Sequence, residues 1–241
     1  MTNSESNKEI LQNRLHTIQS LQNPTADDLS LLIQILLDSS ENPVIQAAAI
    51  PVFQKSGKIS ASLLFSEFQK LSDSDSDIKI KISYALSQIS ETPNSVYPIL
   101  LSDKTARVRQ NAVLGLAGKN DPAFYELLYD VLLNDSDPET AFEAAAALSL
   151  GKAETLPYFE SVITADIKQN PYIDSETNLI SSNKVPPKSA DPHVLAKVIE
   201  ILGDIGNEKT LPYLTPYCAH PDERVAAIAA KSIQKIEADS K

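Results

Sequence analysis

The stretch DPHVLAKVIEILGDIG, residues 191–206, carries the pattern that decides the fold. With Val194 as origin, apolar residues return at Val198, Ile201, Leu202 and Ile205. At about 100° per residue these positions fill a stripe roughly 100° wide, one face of an α-helix. Asp191 stands three residues ahead of the origin, and Pro192 follows it. An N-cap Asp accepts a bond from an orphan backbone N–H and suits the positive end of the helix dipole. A Pro at the first helical position loses no bond, because its missing N–H has no helical partner there.

The same template fits five more places. Val225 is followed by Ala229, Ile233 and Ile236, with Asp222 before it; Thr140 by Ala144, Ala147 and Leu148, with Asp137; Val108 by Ala112 and Leu116, with Asp103 slightly displaced. Ile78 is followed by Ile82, Ala85, Leu86 and Ile89, with Asp75; Val44 by Ala48 and Val52, with Glu41. The origins are spaced 34, 30, 32, 54 and 31 residues apart. A period of this length marks a repeat architecture. The leading acids are expected as helix caps, not catalytic carboxylates, and the small residues at +4 let a neighbouring helix approach.

Second helices are expected between these, at 25–38, 60–71, 95–102, 122–134, 154–165 and 209–218. Thr25 to Asp28 reads as a capping box with Asp in place of Glu. The word TLPY occurs at 155–158 and 210–213, each time four residues after a Gly, Gly151 or Gly206, that ends the preceding helix. Its Thr is expected to cap, with Pro tolerated in the first turn. Tyr125, Tyr158 and Tyr213 align at one repeat position, as a packed stripe between outer helices.

Composition agrees with helices: 42% hydrophobic, 6% aromatic, no Trp and only six Gly in 241 residues. Net charge is −11 with pI near 4.7, spread along the chain, which disfavours nucleic acid as a partner. Cys218 is the only cysteine, so no intramolecular disulfide or Cys-rich metal site forms; it is expected as a buried small hydrophobe. MTNSESNKEILQNRL does not read as a signal peptide, and LSLLIQILL at 29–37 is too short to span a bilayer. The expectation is a soluble, cytoplasmic chain with no membrane insertion.

Asp, then Val-Arg, then small residues, then Leu and Gly, recurring about every 30 residues, resembles the HEAT-repeat family, in the short form found in phycobilisome lyase subunits. DKTARVRQNAVLGLAG at 103–118 and the stretch at 191–206 carry the resemblance, which spans about residues 25–237. It implies an all-α fold, an α-solenoid of about six HEAT-like helix pairs with a concave inner face. The Arg of the family pattern occurs only as Arg109; Ile45, Lys79, Ala141, Leu195 and Ala226 fill the other slots, so an inner Asp–Arg ladder would be thin. Residues 6–22 form an extra amphipathic helix with Ile10, Leu11, Leu15, Ile18 and Leu21 on one side, read as an N-terminal cap. The expected organisation is therefore 1–24 as tail and capping helix and 25–237 as a single solenoid.

The spacing of 54 contains a surplus of about 23 residues over the usual step. It lies in ADIKQNPYIDSETNLISSNKVPPKSA, 165–190, where Pro171, Pro186 and Pro187 oppose a long helix. An inserted loop is expected at 166–190, with Tyr172 and Ile173 as possible anchors for a partner.

Among His16, His193 and His220 there is no HExxH and no His/Cys cluster, and no GxSxG or Gly-rich phosphate loop occurs. Deoxyhypusine hydroxylase, a HEAT-type metal enzyme, relies on His-Glu pairs; no HE dipeptide occurs here. HEAT-like DNA glycosylases use a basic groove with aromatic residues, which an acidic chain without Trp does not match. No catalytic residue, cofactor site or metal site is expected. Interest falls on offsets +2, +3 and +6 of the first helices, expected to face away from the stripe. These are Gln110, Asn111 and Leu114; Phe142, Glu143 and Ala146; Ala196, Lys197 and Glu200. Phe142 is a large apolar side chain where solvent is expected. The candidate partner-binding residues are Arg109, Phe142, Glu143, Lys197, Tyr172 and Ile173. The reading is a non-enzymatic scaffold that takes a protein or peptide in its concave groove, with 166–190 at one edge. The alternative that the resemblance implies is a bilin-lyase-like subunit acting on phycobiliproteins; a third class is a purely structural assembly component.

Overall fold

The computed structural model of the chain describes residues 3–169 and 191–239. Among the described residues there are twelve α-helices and no strand. They are α1 (Asn3–Gln19), α2 (Ala26–Leu37), α3 (Pro43–Phe68), α4 (Ser76–Ser87), α5 (Tyr97–Leu101), α6 (Ala106–Lys119), α7 (Tyr125–Asn134), α8 (Pro138–Ser149), α9 (Leu156–Gln169), α10 (Pro192–Ile205), α11 (Leu211–Leu214) and α12 (Glu223–Asp239). Short 3₁₀ turns lead into α5, α7, α9 and α11. The helices are those of an α-solenoid, and they divide into two compact units, residues 1–119 and 120–241.

In the first unit α3, α4 and α6 pack in succession as one layer, with α2 against α3, α5 against α6, and α1 closing against α3. In the second, α8, α10 and α12 form the corresponding layer, backed by α7, α9 and α11. The predicted stripes are the core: Ile82, Leu86, Val108, Ala112, Leu116, Ala144, Leu148, Val198, Leu202, Val225 and Ala229 are all at most 1% exposed. Burying an aliphatic side chain of this kind stabilises by roughly 1.5–3 kcal/mol, so the period in the sequence is the period of the core.

Two helices depart from the expected register. In α3 the stripe runs through Ile45, Ala49, Val52 and Phe53, one residue later than the template, and Val44 is 54% exposed. The reason is the cap: Asn42, not Glu41, accepts the Val44 amide (2.9 Å). Glu41 instead accepts the Arg14 guanidinium (3.0 and 2.5 Å), which ties α1 to the start of α3. On α1 itself Ile18 is buried and Leu11 and Leu15 are half-buried, but Ile10 points out, 54% exposed; the helix ends at Gln19, so Leu21, half-buried, lies beyond it. The helices expected on either side of residue 57 follow one another without a loop in α3, bent at Gly57 (φ 50°, ψ −121°). That backbone favours glycine, and the Glu91 carboxylate lies over the missing Cβ.

The leading acids divide. Asp137 caps Thr140 N (2.9 Å), Asp191 caps His193 N (2.8 Å), and Asp222 accepts from Arg224 N and Val225 N (2.9 and 3.2 Å). Asp75 turns backwards, accepting Ser72 N (2.8 Å) and Oγ (2.6 Å), and makes no cap bond to α4. Thr25 and Asp28 form the predicted capping box.

TLPY is also resolved. Thr155 and Thr210 are fully buried and close 3₁₀ turns; Thr210 stands at the N-cap position of α11 but its side chain makes no cap bond there. Thr155 Oγ1 donates back to Lys152 O (2.9 Å), and Thr210 Oγ1 accepts Asn207 N (3.2 Å) within a capping box. A Cβ on Gly151 would stand 2.5 Å from Thr155 Cγ2 and from Tyr125 Oη; one on Gly206 would stand 2.8 Å from Thr210 Oγ1. The Gly four residues ahead is there for space, since the threonine packs on its bare backbone. The aligned tyrosines form a ring cluster of a different membership: Tyr158 meets Tyr125 edge-on (6.5 Å) and Tyr129 at 5.2 Å, and Tyr213 is not part of it.

The insertion begins later than expected. Helix α9 runs to Gln169, so residues 166–169 are helical. Asp166 is buried and accepts Tyr217 Oη at 2.6 Å. Tyr172 and Ile173 lie outside the described residues.

Candidate functional site

The positions at +2, +3 and +6 of the first helices are half-buried or exposed, except Asn111 and Ala196, which are buried. In the first unit Tyr84 and Leu114, both at +6, are 44% and 47% exposed. Between α3 and α4 lies a cleft of ≈ 470 Å³, whose lining includes Ile50, Pro51, Gln54, Lys81 and Tyr84. Asn111, expected to face outward, is 2% exposed. It has been drawn into the α4–α6 seam, where its Nδ2 donates to Ile80 O (3.1 Å) and Ser83 Oγ (2.9 Å).

Arg109 likewise is not displayed to a partner. It is 8% exposed and donates to Asp103 O (3.0 Å) and Lys104 O (3.2 Å), holding the turn before α6. A lysine reaches the same turn from the repeat before. Lys79 Nζ meets Asp103 Oδ2 at 2.9 Å with both side chains 7% exposed, and lies 5.6 Å from the Phe68 ring centre. Burial pushes the Asp103 carboxyl up, but Lys79 and the Thr105 amide outweigh it and hold the group below its ordinary range. The hydrogen bond to Asp103 raises Lys79 in turn. Lys104 pairs with Asp73 beside them. The acid at 103 is therefore half of a mutually neutralised pair as well as the acceptor for Thr105 N (2.9 Å).

In the second unit the structure brings three predicted positions together. Phe142 on α8 stacks face to face on His193 of α10, ring centres 4.4 Å apart and planes 2° from parallel. Lys197, one turn along α10, places Nζ 5.5 Å from the same ring and pairs with Glu200 (2.8 Å). Glu143 is half-buried beside Phe142, and Glu139 Oε2 lies 3.9 Å from His193 Nε2. A cation over an aromatic face is attracted by the ring quadrupole, so Phe142 is both a seam residue between repeats and the centre of a polar and aromatic patch. His193 was not singled out from the sequence; its place at the second residue of α10, in the first helix that follows α8 in the layer, was the available signal.

Polar links between repeats follow the period. Gln54 Nε2 reaches Gln88 O (3.1 Å), Ser232 Oγ reaches Ile199 O (3.1 Å) and Lys235 reaches Asp204 (2.8 Å). Cys218 is exposed, contrary to expectation: the 3₁₀ turn Thr215–Ala219 points the larger Tyr217 inward and the next residue out. Burial of its surroundings still pushes the thiol up, away from a reactive thiolate. Among the described residues no group of three or more His, Cys, Asp or Glu is placed to hold a metal ion, and no helix is long and apolar enough to cross a membrane.

Residues 93–169, from the turn before α5 to the end of α9, match the family model for HEAT repeats. This stretch is similar to HEAT repeats. Human deoxyhypusine hydroxylase in complex with glycerol is a solved structure similar to the chain, at 15% identity over 88% of this chain and 97% of that one. The TM-score is 0.32, too low to carry an argument about activity. No curated protein matches the chain.

Proposed function

We propose that the protein is a non-enzymatic interaction scaffold, holding a protein or peptide along the open face of its first helices. The observation that supports this reading best is the contrast along those helices. From α4 to α12 most stripe positions are buried, while the opposite face keeps large apolar and aromatic side chains, Tyr84, Leu114 and Phe142, beside charged ones. Such groups, partly exposed and set in rigid helices, are the raw material of an interface, where aromatic anchors dominate the energy. The repeat spacing of 32 between Val108 and Thr140 continues through residue 119, and on that ground we read 25–237 as one repeat array. Likeness to the phycobilisome-lyase type of repeat rests on the sequence pattern alone.

A photo-crosslinking amino acid placed at 84 or 142, with 133 on α7 as the control (Leu133, 47% exposed), tests the reading in a lysate of the source cells. Discrete protein adducts at 84 or 142 and none at 133 are expected. Equal adducts at all three, or none at either open-face position, overturn it.

A further inference from the structure

The cleft between α3 and α4 has a chemistry of its own. Its lining holds one charged group, Lys81, and no carboxylate, in a chain of net charge −11. Lys81 is half-exposed and makes no hydrogen bond or ion pair with another described residue. Asp38, at the end of α2, attracts it through space, but Asp38 Oδ1 is already taken by Ser40 N (2.8 Å) and Oγ (2.7 Å). The other described clefts differ. In the one beside α5, Lys79 and Lys104 are matched by Asp103 and Asp73, and the one beside α2 carries only Glu67, itself paired to Lys70.

Around Lys81 the walls are apolar: Ile50 and Pro51 on α3, and the Tyr84 ring on α4, 44% exposed. Pro51 stands inside α3, and a proline has no N–H to give to the carbonyl four residues back. Ala47, whose carbonyl therefore lacks its α-helical donor, is among the residues that line the cleft. Gln54 spends its amide N–H on Gln88 O, across the seam, which leaves Oε1 as an acceptor. The cleft thus offers one cation, an apolar wall and backbone-type acceptors in ≈ 470 Å³, within the roughly 300–1,000 Å³ of ligand clefts.

We propose that this cleft takes a short extended segment of a partner protein in which an aliphatic or aromatic side chain stands next to a carboxylate. This rests on the scaffold reading and names the partner's chemistry at one place on it. The carboxylate pairs with Lys81, the apolar side chain lies on Tyr84 and Pro51, and peptide N–H groups donate to Ala47 O and Gln54 Oε1. Charge complementarity selects the occupant, because a basic segment would meet Lys81 with like charge and no acid in the lining to offset it.

The test is selection of a random dodecapeptide phage library on the full-length protein. Enriched peptides are then synthesised with a fluorescent label and measured by anisotropy. The expected motif pairs Asp or Glu with an apolar residue. Lys81→Glu should weaken binding about tenfold or more, and a peptide with Lys in place of its acid should regain affinity for that variant. Tyr84→Ala should weaken binding about tenfold while leaving the helical circular dichroism unchanged. Enrichment of basic motifs, no enrichment, or affinities indifferent to Lys81→Glu and Tyr84→Ala overturn the proposal. Peptides lost with Phe142→Ala but not with either cleft variant overturn this cleft while sparing the scaffold reading, which the crosslinking result judges separately. Concentration-dependent dimers abolished by Tyr84→Ala would put a second copy in the cleft and overturn the peptide as occupant.

Discussion

At Gly203 the backbone of α10 packs tightly on Ser232 of α12, and Gly203→Ala tests that packing directly. A Cβ there would lie 2.4 Å from both Cβ and Oγ of Ser232 and 2.8 Å from its Cα. Carbon atoms rest at about 3.5–4.0 Å, so α10 and α12 must part by about 1 Å to admit it. Overpacking of this kind costs roughly 1–3 kcal/mol. Parting the helices also stretches the buried bond from Ser232 Oγ to Ile199 O (3.1 Å), worth about 1 kcal/mol. Against this, Ala is favoured over Gly inside a helix by about 1 kcal/mol. The balance is a loss of about 1–3 kcal/mol, from a substitution that helix propensity alone would score as a gain. Urea unfolding followed by circular dichroism reads it. Gly118→Ala is the internal control: it is helical too, with nothing within 4 Å of its Cβ, and should stabilise by up to about 1 kcal/mol. Ser232→Gly in the Gly203→Ala background should recover part of the loss only, because the clash with the Ser232 backbone remains. If Gly203→Ala matches Gly118→Ala in sign, the close approach of the two helices is refuted.

Lys79→Met leaves the Asp103 carboxylate buried without its cation and should cost about 3–5 kcal/mol in urea unfolding, with Lys79→Met/Asp103→Asn recovering most of it. The same pair sets a pH window. Asp103 is depressed in the fold, so its contribution is complete above about pH 4, the unfolded value, and is lost as pH falls through the lower folded value. Lys79 is raised, so its contribution is complete below about pH 10.4 and is lost as pH rises through the folded value. An acid limb of stability identical in wild type and Lys79→Met would contradict this. Tyr217→Phe removes the donor to buried Asp166 and should cost about 1–3 kcal/mol, with faster amide exchange at the C-terminal end of α9 as its local sign.

The architecture was legible because burial imposes its period on sequence: each predicted first helix exists, and the stripes at Ile82, Val108, Ala144, Val198 and Val225 are core. What escaped were choices made by tertiary neighbours. Asp75 and Asp137 have the same local signature, yet Asp75 turns to Ser72 while Asp137 caps Thr140. Asn111 sits at an outward offset by helix geometry but finds Ile80 O and Ser83 Oγ one period back. Of the candidate residues, Phe142 and Lys197 meet around one ring, and Arg109 is buried with bonds to two carbonyls of its own turn. No spacing rule says in advance which of these side chains is drawn inward. The cleft at Lys81 and Tyr84 was missed because offsets were read only for later repeats; Pro51 inside an otherwise helical run was the local signal.

The bond from Asp166 to Tyr217 joins the end of α9 to the turn after α11. It fixes the geometry of the last repeats by a route that bypasses the chain between Gln169 and Asp191. The two residues stand 51 positions apart, so a change at either one should be felt at the other, a coupling that the order of the chain does not announce.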